Sequence, residues 1–231
     1  MTLPRPVQAV IFDMDGLLVD TETVFRDAMM AVSERHGLTL PLPVFLSMVG
    51  ATREQNRRVV LDHFGPDFPY DGWIEAVSEQ AHAQIIVGVT LKAGVVELID
   101  LLEAMDIPRA VATSSGHGAV ERQLGPAGLI PRFQAIIAAG DYARGKPHPD
   151  PFLAAAARLG ADPAACLALE DSHNGVRAAH AAGMMTIMVP DLLEATEEIE
   201  ALCVAVAETL HDVRALVAAS IWPGAEAPGR S

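Results

Sequence analysis

Short, wholly apolar runs alternate along this chain with longer stretches in which apolar residues recur every three or four positions. The runs at 7–12, 110–113, 135–138, 166–169 and 184–189 are near-continuous in apolar residues, which predicts strands buried on both faces. Between them the longer period predicts helices at 95–105, 149–159 and 175–182, with a weaker strand near 204–207 and a closing helix near 210–219. Strand and helix in strict turn predict an α/β fold: a doubly wound, Rossmann-like parallel sheet.

The alternation fails once. From about residue 21 to 90 there is no buried strand run, only amphipathic helical stretches at 24–36, 53–63 and 73–87, separated by Pro41-Leu42-Pro43 and Phe64-Gly65-Pro66. An insert placed directly after the first strand sits over the carboxyl ends of the strands, where it can act as a lid. The expected division is an α/β core of 1–20 and 89–222, a helical cap of 21–88, and a frayed tail of 223–231 rich in Pro, Gly and Ala.

Composition narrows the partners. With 231 residues, 51% hydrophobic and 20% charged, the chain can bury a core domain with an insert. A net charge of -14, from 30 acidic against 16 basic residues, argues against a nucleic-acid surface, so any phosphate bound is small and held locally. The acidic surface fits a monomer. No run approaches the ~18 apolar residues of a membrane span. Asp13 arrives before a secretory apolar segment could form. Cys166 and Cys203 lie among apolar residues, which predicts buried, reduced thiols and suits the cytoplasm.

The candidate chemistry gathers where the strand runs end. Asp13 and Asp15, in Phe12-Asp13-Met14-Asp15-Gly16, put two carboxylates at the end of the first run, where ligands of open α/β sheets bind. Carboxylates this close repel, and a hard divalent cation such as Mg²⁺ compensates best. If the strand continues through Asp15, alternation points both acids to one side. Thr113-Ser114-Ser115-Gly116 ends the second run; its hydroxyls and amides can cradle a phosphate or cap the next helix. Lys146, in Gly145-Lys146-Pro147-His148-Pro149, stands in a proline-stiffened loop and can balance phosphate and carboxylates, or be an ordinary solvated lysine. Glu170 and Asp171 end the fourth run and could complete an oxygen-ligand site or cap the following helix.

In this order the pieces resemble the haloacid dehalogenase superfamily of aspartate-nucleophile phosphohydrolases, over nearly the whole chain. The insert is similar to the α-helical cap of the β-phosphoglucomutase-like and phosphatase subgroup. The resemblance implies that Asp13 attacks phosphorus and forms an aspartyl-phosphate, while Asp15 serves as acid and then base. It implies Mg²⁺ held by the Asp13 carboxylate, the Asp15 carbonyl and Asp171, with Glu170 ligating or supporting, and phosphoryl oxygens held by Thr113 and Lys146. Ser114 and Ser115 join the expected substrate-binding set, and Arg53, in Gly50-Ala51-Thr52-Arg53, resembles the cap arginine that contacts the distal part of the substrate. The expected activity is phosphatase action on a small phosphorylated metabolite, a sugar phosphate or nucleotide monophosphate. A sugar-phosphate mutase is the alternative, disfavoured because Phe25 stands where such mutases typically carry a histidine. A non-catalytic binder of phosphometabolites is the third reading, disfavoured by the intact acids, hydroxyl and lysine.

Overall fold

The computed structural model describes residues 3–49 and 53–221, so the 223–231 tail and residues 50–52 of the cap loop lie outside it. Six parallel strands form one sheet: β1 (Ala9–Phe12), β2 (Arg109–Ala112), β3 (Ala135–Ile137), β4 (Cys166–Glu170), β5 (Met185–Met188) and β6 (Ala205–Val206). Their order across the sheet is β3-β2-β1-β4-β5-β6, so the chain reverses direction of winding at β1, between β2 and β4. That is the switch point at which α/β sheets bind ligands. The apolar runs of β1, β2 and β4 are wholly buried because helices cover both faces.

One face buries Val10, Phe12, Val111 and Leu169 against α5 (Val95–Ala104), α6 (His117–Leu124) and α10 (Leu210–Ile221). The other buries Ala9, Ile11, Ala110 and Ala168 against α7 (Asp150–Leu159) and α8 (His173–Ala181). Alanines dominate this second layer, which lets α7 and α8 lie close to the strands. A short helix, α9 (Glu197–Glu200), precedes β6.

The insert contains α1 (Thr21–Arg35), α2 (Leu42–Leu46), α3 (Arg53–Phe64) and α4 (Tyr70–Val87). The four helices enclose a hydrophobic cluster of their own, centred on Val32, Phe45, Val60, Trp73 and Val77. The helix α2 crosses the Pro41-Leu42-Pro43 segment that the sequence marks as a separator. Proline is tolerated there because it falls in the first turn, where the amide has no intrahelical partner. Two linkers join insert and sheet side by side: Asp20 N donates to Thr90 O at 2.9 Å, Lys92 N to Leu18 O at 3.0 Å, and Val19 bridges Leu91 antiparallel.

Candidate active site

The first acid stands at the end of β1. Asp13 N donates to Leu169 O at 2.9 Å, so the ladder runs one residue past the strand and fixes Asp13 beside β4. It stops there. The expectation that alternation carries through Asp15 is corrected: Gly16, at φ +83°, turns the chain, and Gly16 N donates to Val19 O at 2.9 Å. Asp15 is therefore aimed by a turn, and its position owes nothing to strand period. The glycine is also required by space, since a Cβ at Gly16 would collide with Asp171 Oδ2.

Three hydroxyls hold the Asp15 carboxylate. Thr21, at the start of α1, donates to Oδ1 at 3.0 Å; Ser115 donates to Oδ2 at 2.8 Å, with Thr113 farther away at 3.4 Å. Thr113 is fully buried, and its Oγ1 also accepts the Ser115 amide at 2.9 Å. The turn after β2 is thus tied to the turn after β1.

Lys146 reaches across from the loop after β3. Its Nζ forms ion pairs with Asp13 Oδ1 and with Glu170 Oε1, the latter at 2.5 Å, and it lies 5.1 Å from the centre of the Phe152 ring. Its side chain is only 6% exposed, so this is no solvated loop lysine. Glu170 Oε2 accepts from the Asp171 and Ser172 amides, each at 3.1 Å, and from Ser172 Oγ at 2.9 Å. Every oxygen of this fully buried carboxylate is therefore partnered.

The acids carry more negative charge than one lysine offsets. Burial, with the repulsion of Glu170 and Asp15, holds Asp13 well above the usual carboxylate range despite Lys146. Burial, then Glu170, Asp13 and Glu22, does the same to Asp171. Lys146 is raised as well: burial lowers it, but Asp13 and Glu170 outweigh the burial, and it stays protonated. Asp13, Glu170 and Asp171 each offer an oxygen within 4.8 Å of the others. An all-oxygen, charge-excess set of this kind fits a hard divalent cation, and the raised carboxylates are what its charge would relieve.

A family profile described as haloacid dehalogenase-like hydrolase matches residues 7–183. The chain belongs to the haloacid dehalogenase-like hydrolases. Among its relatives is a probable pseudouridine-5'-phosphatase of Drosophila melanogaster, 36% identical over 194 residues, covering 81% of this chain and 83% of that protein. Another is hexitol phosphatase B of Escherichia coli strain K12, 33% identical over 199 residues, covering 82% of this chain and 86% of that one. A similar solved structure is a putative β-phosphoglucomutase from Thermotoga maritima, with TM-score 0.77 at 26% identity, covering 92% of this chain and 99% of that one.

As a haloacid dehalogenase-like hydrolase the chain is an enzyme with an α/β core and helical cap. The structure brings Asp13, Asp15, Thr113, Ser115, Lys146, Glu170 and Asp171 together. Ser115 faces Asp15, whereas Ser114 is exposed and interacts with the Tyr142 hydroxyl. Arg53 opens α3 with its side chain exposed and its charge acting on Tyr70; among the described residues no hydrogen bond or ion pair joins it to the acids. His117 is occupied by Asp141 at 2.9 Å, and His173 by Glu194 O at 2.9 Å. Cys166 is buried, but Cys203 is only half-buried, a correction to the expectation for both; neither forms a disulfide.

Three contributors stand outside the expected set of site residues. Thr21 holds Asp15, yet reads as an ordinary helix-start residue. Glu22 is raised to about 7 by burial and by Asp15, Asp191 and Asp20. Asp191, in the loop after β5, pairs with Lys92 at 2.6 Å. One usable signal is that Lys92 is one of just two lysines in the chain.

Proposed function

We propose that this protein is a Mg²⁺-dependent phosphomonoester hydrolase for a small phosphorylated metabolite, working through an aspartyl-phosphate. The observation that carries this reading is the pairing of buried Asp13 with Lys146 beside an Asp15 carboxylate held by three hydroxyls. The Lys146 contact occupies Asp13 Oδ1, so Oδ2 is the oxygen that attacks phosphorus. As the bond to the leaving oxygen breaks, Asp15 donates a proton to it. Asp15 then takes a proton from water, whose oxygen attacks the phosphoryl group and releases Asp13. Asp15 is bonded both to Thr21 at the cap's entry and to Ser115 on the core, which suits a group that must meet leaving alcohol and water in turn. Lys146 and the Thr113 turn hold phosphoryl oxygens. A bound Mg²⁺, held by Asp13, the Asp15 carbonyl and Asp171, would neutralise phosphoryl charge. Glu170, saturated by its four donors, supports this set by fixing Lys146 and the β4 turn.

The substrate class follows the relatives named for pseudouridine 5'-phosphate and hexitol phosphates: a sugar phosphate or nucleotide monophosphate. Residues 21–88 act as the cap, which excludes water from the first step; Arg53 on the cap and Ser114 in the turn after β2 are the candidates for holding the rest of the substrate. The likeness to a putative β-phosphoglucomutase favours a mutase as second reading. Against it, Phe25 packs on the cap's hydrophobic cluster and offers no polar group to a sugar.

The test is phosphate release from a panel of phosphorylated metabolites with and without Mg²⁺. Metal-dependent release is expected, and Asp13→Asn is expected to abolish it while the protein stays folded. Isomerisation of β-glucose 1-phosphate without net release would make the protein a mutase, and clear residual turnover in Asp13→Asn would remove the nucleophile from its role.

A further inference from the structure

The chain contains only two lysines, Lys92 and Lys146, and both are ion-paired beside the acid cluster. The pair of Lys92 is Asp191, in the segment that leaves β5. Its route there is fixed: Val189 N donates to Glu170 O at 2.7 Å, and Leu192 packs against the cap's hydrophobic cluster. Asp191 is thereby held between the β4 turn, the return linker and the cap.

Its two oxygens are unequal. Oδ1 accepts from Lys92 Nζ at 2.6 Å; Oδ2 is buried and has no hydrogen-bond partner among the described residues. The side chain is 10% exposed, and a buried carboxylate oxygen without a donor is unfavourable unless the site supplies one in use. The direction of Oδ2 shows where that donor sits. A Cβ built on Gly16 would lie 3.4 Å from Asp191 Oδ2 and overlap Asp171 Oδ2, so both oxygens point to the same side of the Asp15-Gly16 turn. Asp191 also acts electrostatically on Glu22, which in turn acts on Asp171.

We propose that Asp191 is a positioning residue for the cation site: Lys92 fixes one of its oxygens, and the other accepts a hydrogen bond from the hydration shell of the cation carried by Asp13 and Asp171. The inference rests on the Mg²⁺ reading given under Proposed function. Mg²⁺ keeps several waters when bound by few carboxylates, and those waters need acceptors in the second layer. Lys92 is what keeps the acceptor aimed. Because Lys92 lies in the return linker, which pairs with Leu18, the same ion pair ties the cation site to the hinge of the cap.

The experiment is calorimetric Mg²⁺ binding to the full-length, chelator-treated protein, compared for wild type, Asp191→Asn and Lys92→Met, with thermal unfolding as the control for folding. Asp191→Asn is expected to weaken Mg²⁺ about tenfold, in the range usual for a lost second-layer partner. Turnover at low Mg²⁺ should fall in parallel and return at excess Mg²⁺, with substrate KM unchanged. Lys92→Met, which keeps the carboxylate, should weaken Mg²⁺ less. Unchanged Mg²⁺ affinity in Asp191→Asn, a defect that excess Mg²⁺ does not restore, or equal losses in the two variants would overturn the proposal. Asp191→Ser carries the same readings should the isosteric change prevent folding. The wild-type titration separates the two levels: no binding there sinks the cation reading itself, while normal binding there leaves the fate of Asp191 to the variants.

Discussion

Glu22 is where the charge excess of this site becomes measurable at a single residue. It stands in the first turn of α1, a favourable place for an acid beside a helix N-terminus, but burial and the charges of Asp15, Asp191 and Asp20 raise its carboxyl to about 7. A carboxyl raised on folding keeps a proton that the unfolded chain has already lost. Between about pH 4.5 and about pH 7 the folded state binds more protons, so this group's contribution to stability falls as pH rises through that window. The full effect would be on the order of 3 kcal/mol by the usual conversion of such a shift. Urea unfolding of metal-free protein at a series of pH values should show the decline, and Glu22→Gln should flatten it; an unchanged slope in the variant would assign the decline to other acids. The sequence made Asp13, Asp15, Lys146, Glu170 and Asp171 legible because each ends a strand run or sits in a loop marked by Gly and Pro. The roles of Glu22, Thr21 and Asp191 in the site were not legible. Their significance arises only when residues near 20, 90 and 190 meet in space, and no local pattern encodes that meeting.

At the scale of elements, the junction of β4 and α8 decides whether the acids stay in register. Ser172 caps α8 by accepting the Gly175 amide at 3.1 Å while its own hydroxyl donates to Glu170. The helix therefore starts directly against the carboxylate, and a Cβ on Gly175 would overlap the Glu170 side chain itself. Gly175→Ala must displace either α8 or Glu170, and Glu170 cannot move without releasing Lys146. Overpacking of this kind costs about 1–3 kcal/mol, and activity should fall much further than stability. Urea midpoints measured beside kcat give the check; an active variant of normal stability would show that the junction has room to yield. Strand and helix placement followed from the run lengths, since near-continuous apolar runs suit strands of a sheet covered on both faces. The boundaries that failed were those set by turns. Asp15 lies beyond β1 because Gly16 ends the extended backbone, and α2 forms across two prolines because both stand where helices accept them.

For the whole molecule, the question is whether insert and sheet stand as one cooperative unit or two. The insert has its own core, with Trp73 almost wholly buried and its Nε1 donating to Ser33 Oγ at 3.1 Å. Among the described residues its connections to the rest are narrow: the paired linkers, the hydrogen bond from Thr21 to Asp15, Leu192 and the approach of α4 to α6. Each of these is short or peripheral compared with the buried faces of the sheet. Trp73→Ala removes the largest side chain of the insert's core and leaves a hydroxyl without its donor, a loss of about 3–5 kcal/mol. With so few links, the loss should stay within α1–α4. Hydrogen exchange should then show protection falling across those helices while β1, β2 and β4 keep theirs, and Mg²⁺ affinity at the acid cluster should change little. Turnover should nonetheless drop, because a loosened cap no longer closes over the pocket or holds Thr21 against Asp15. If protection falls equally in helices and strands, the two parts fold as one, and the acids depend on the cap for more than closure.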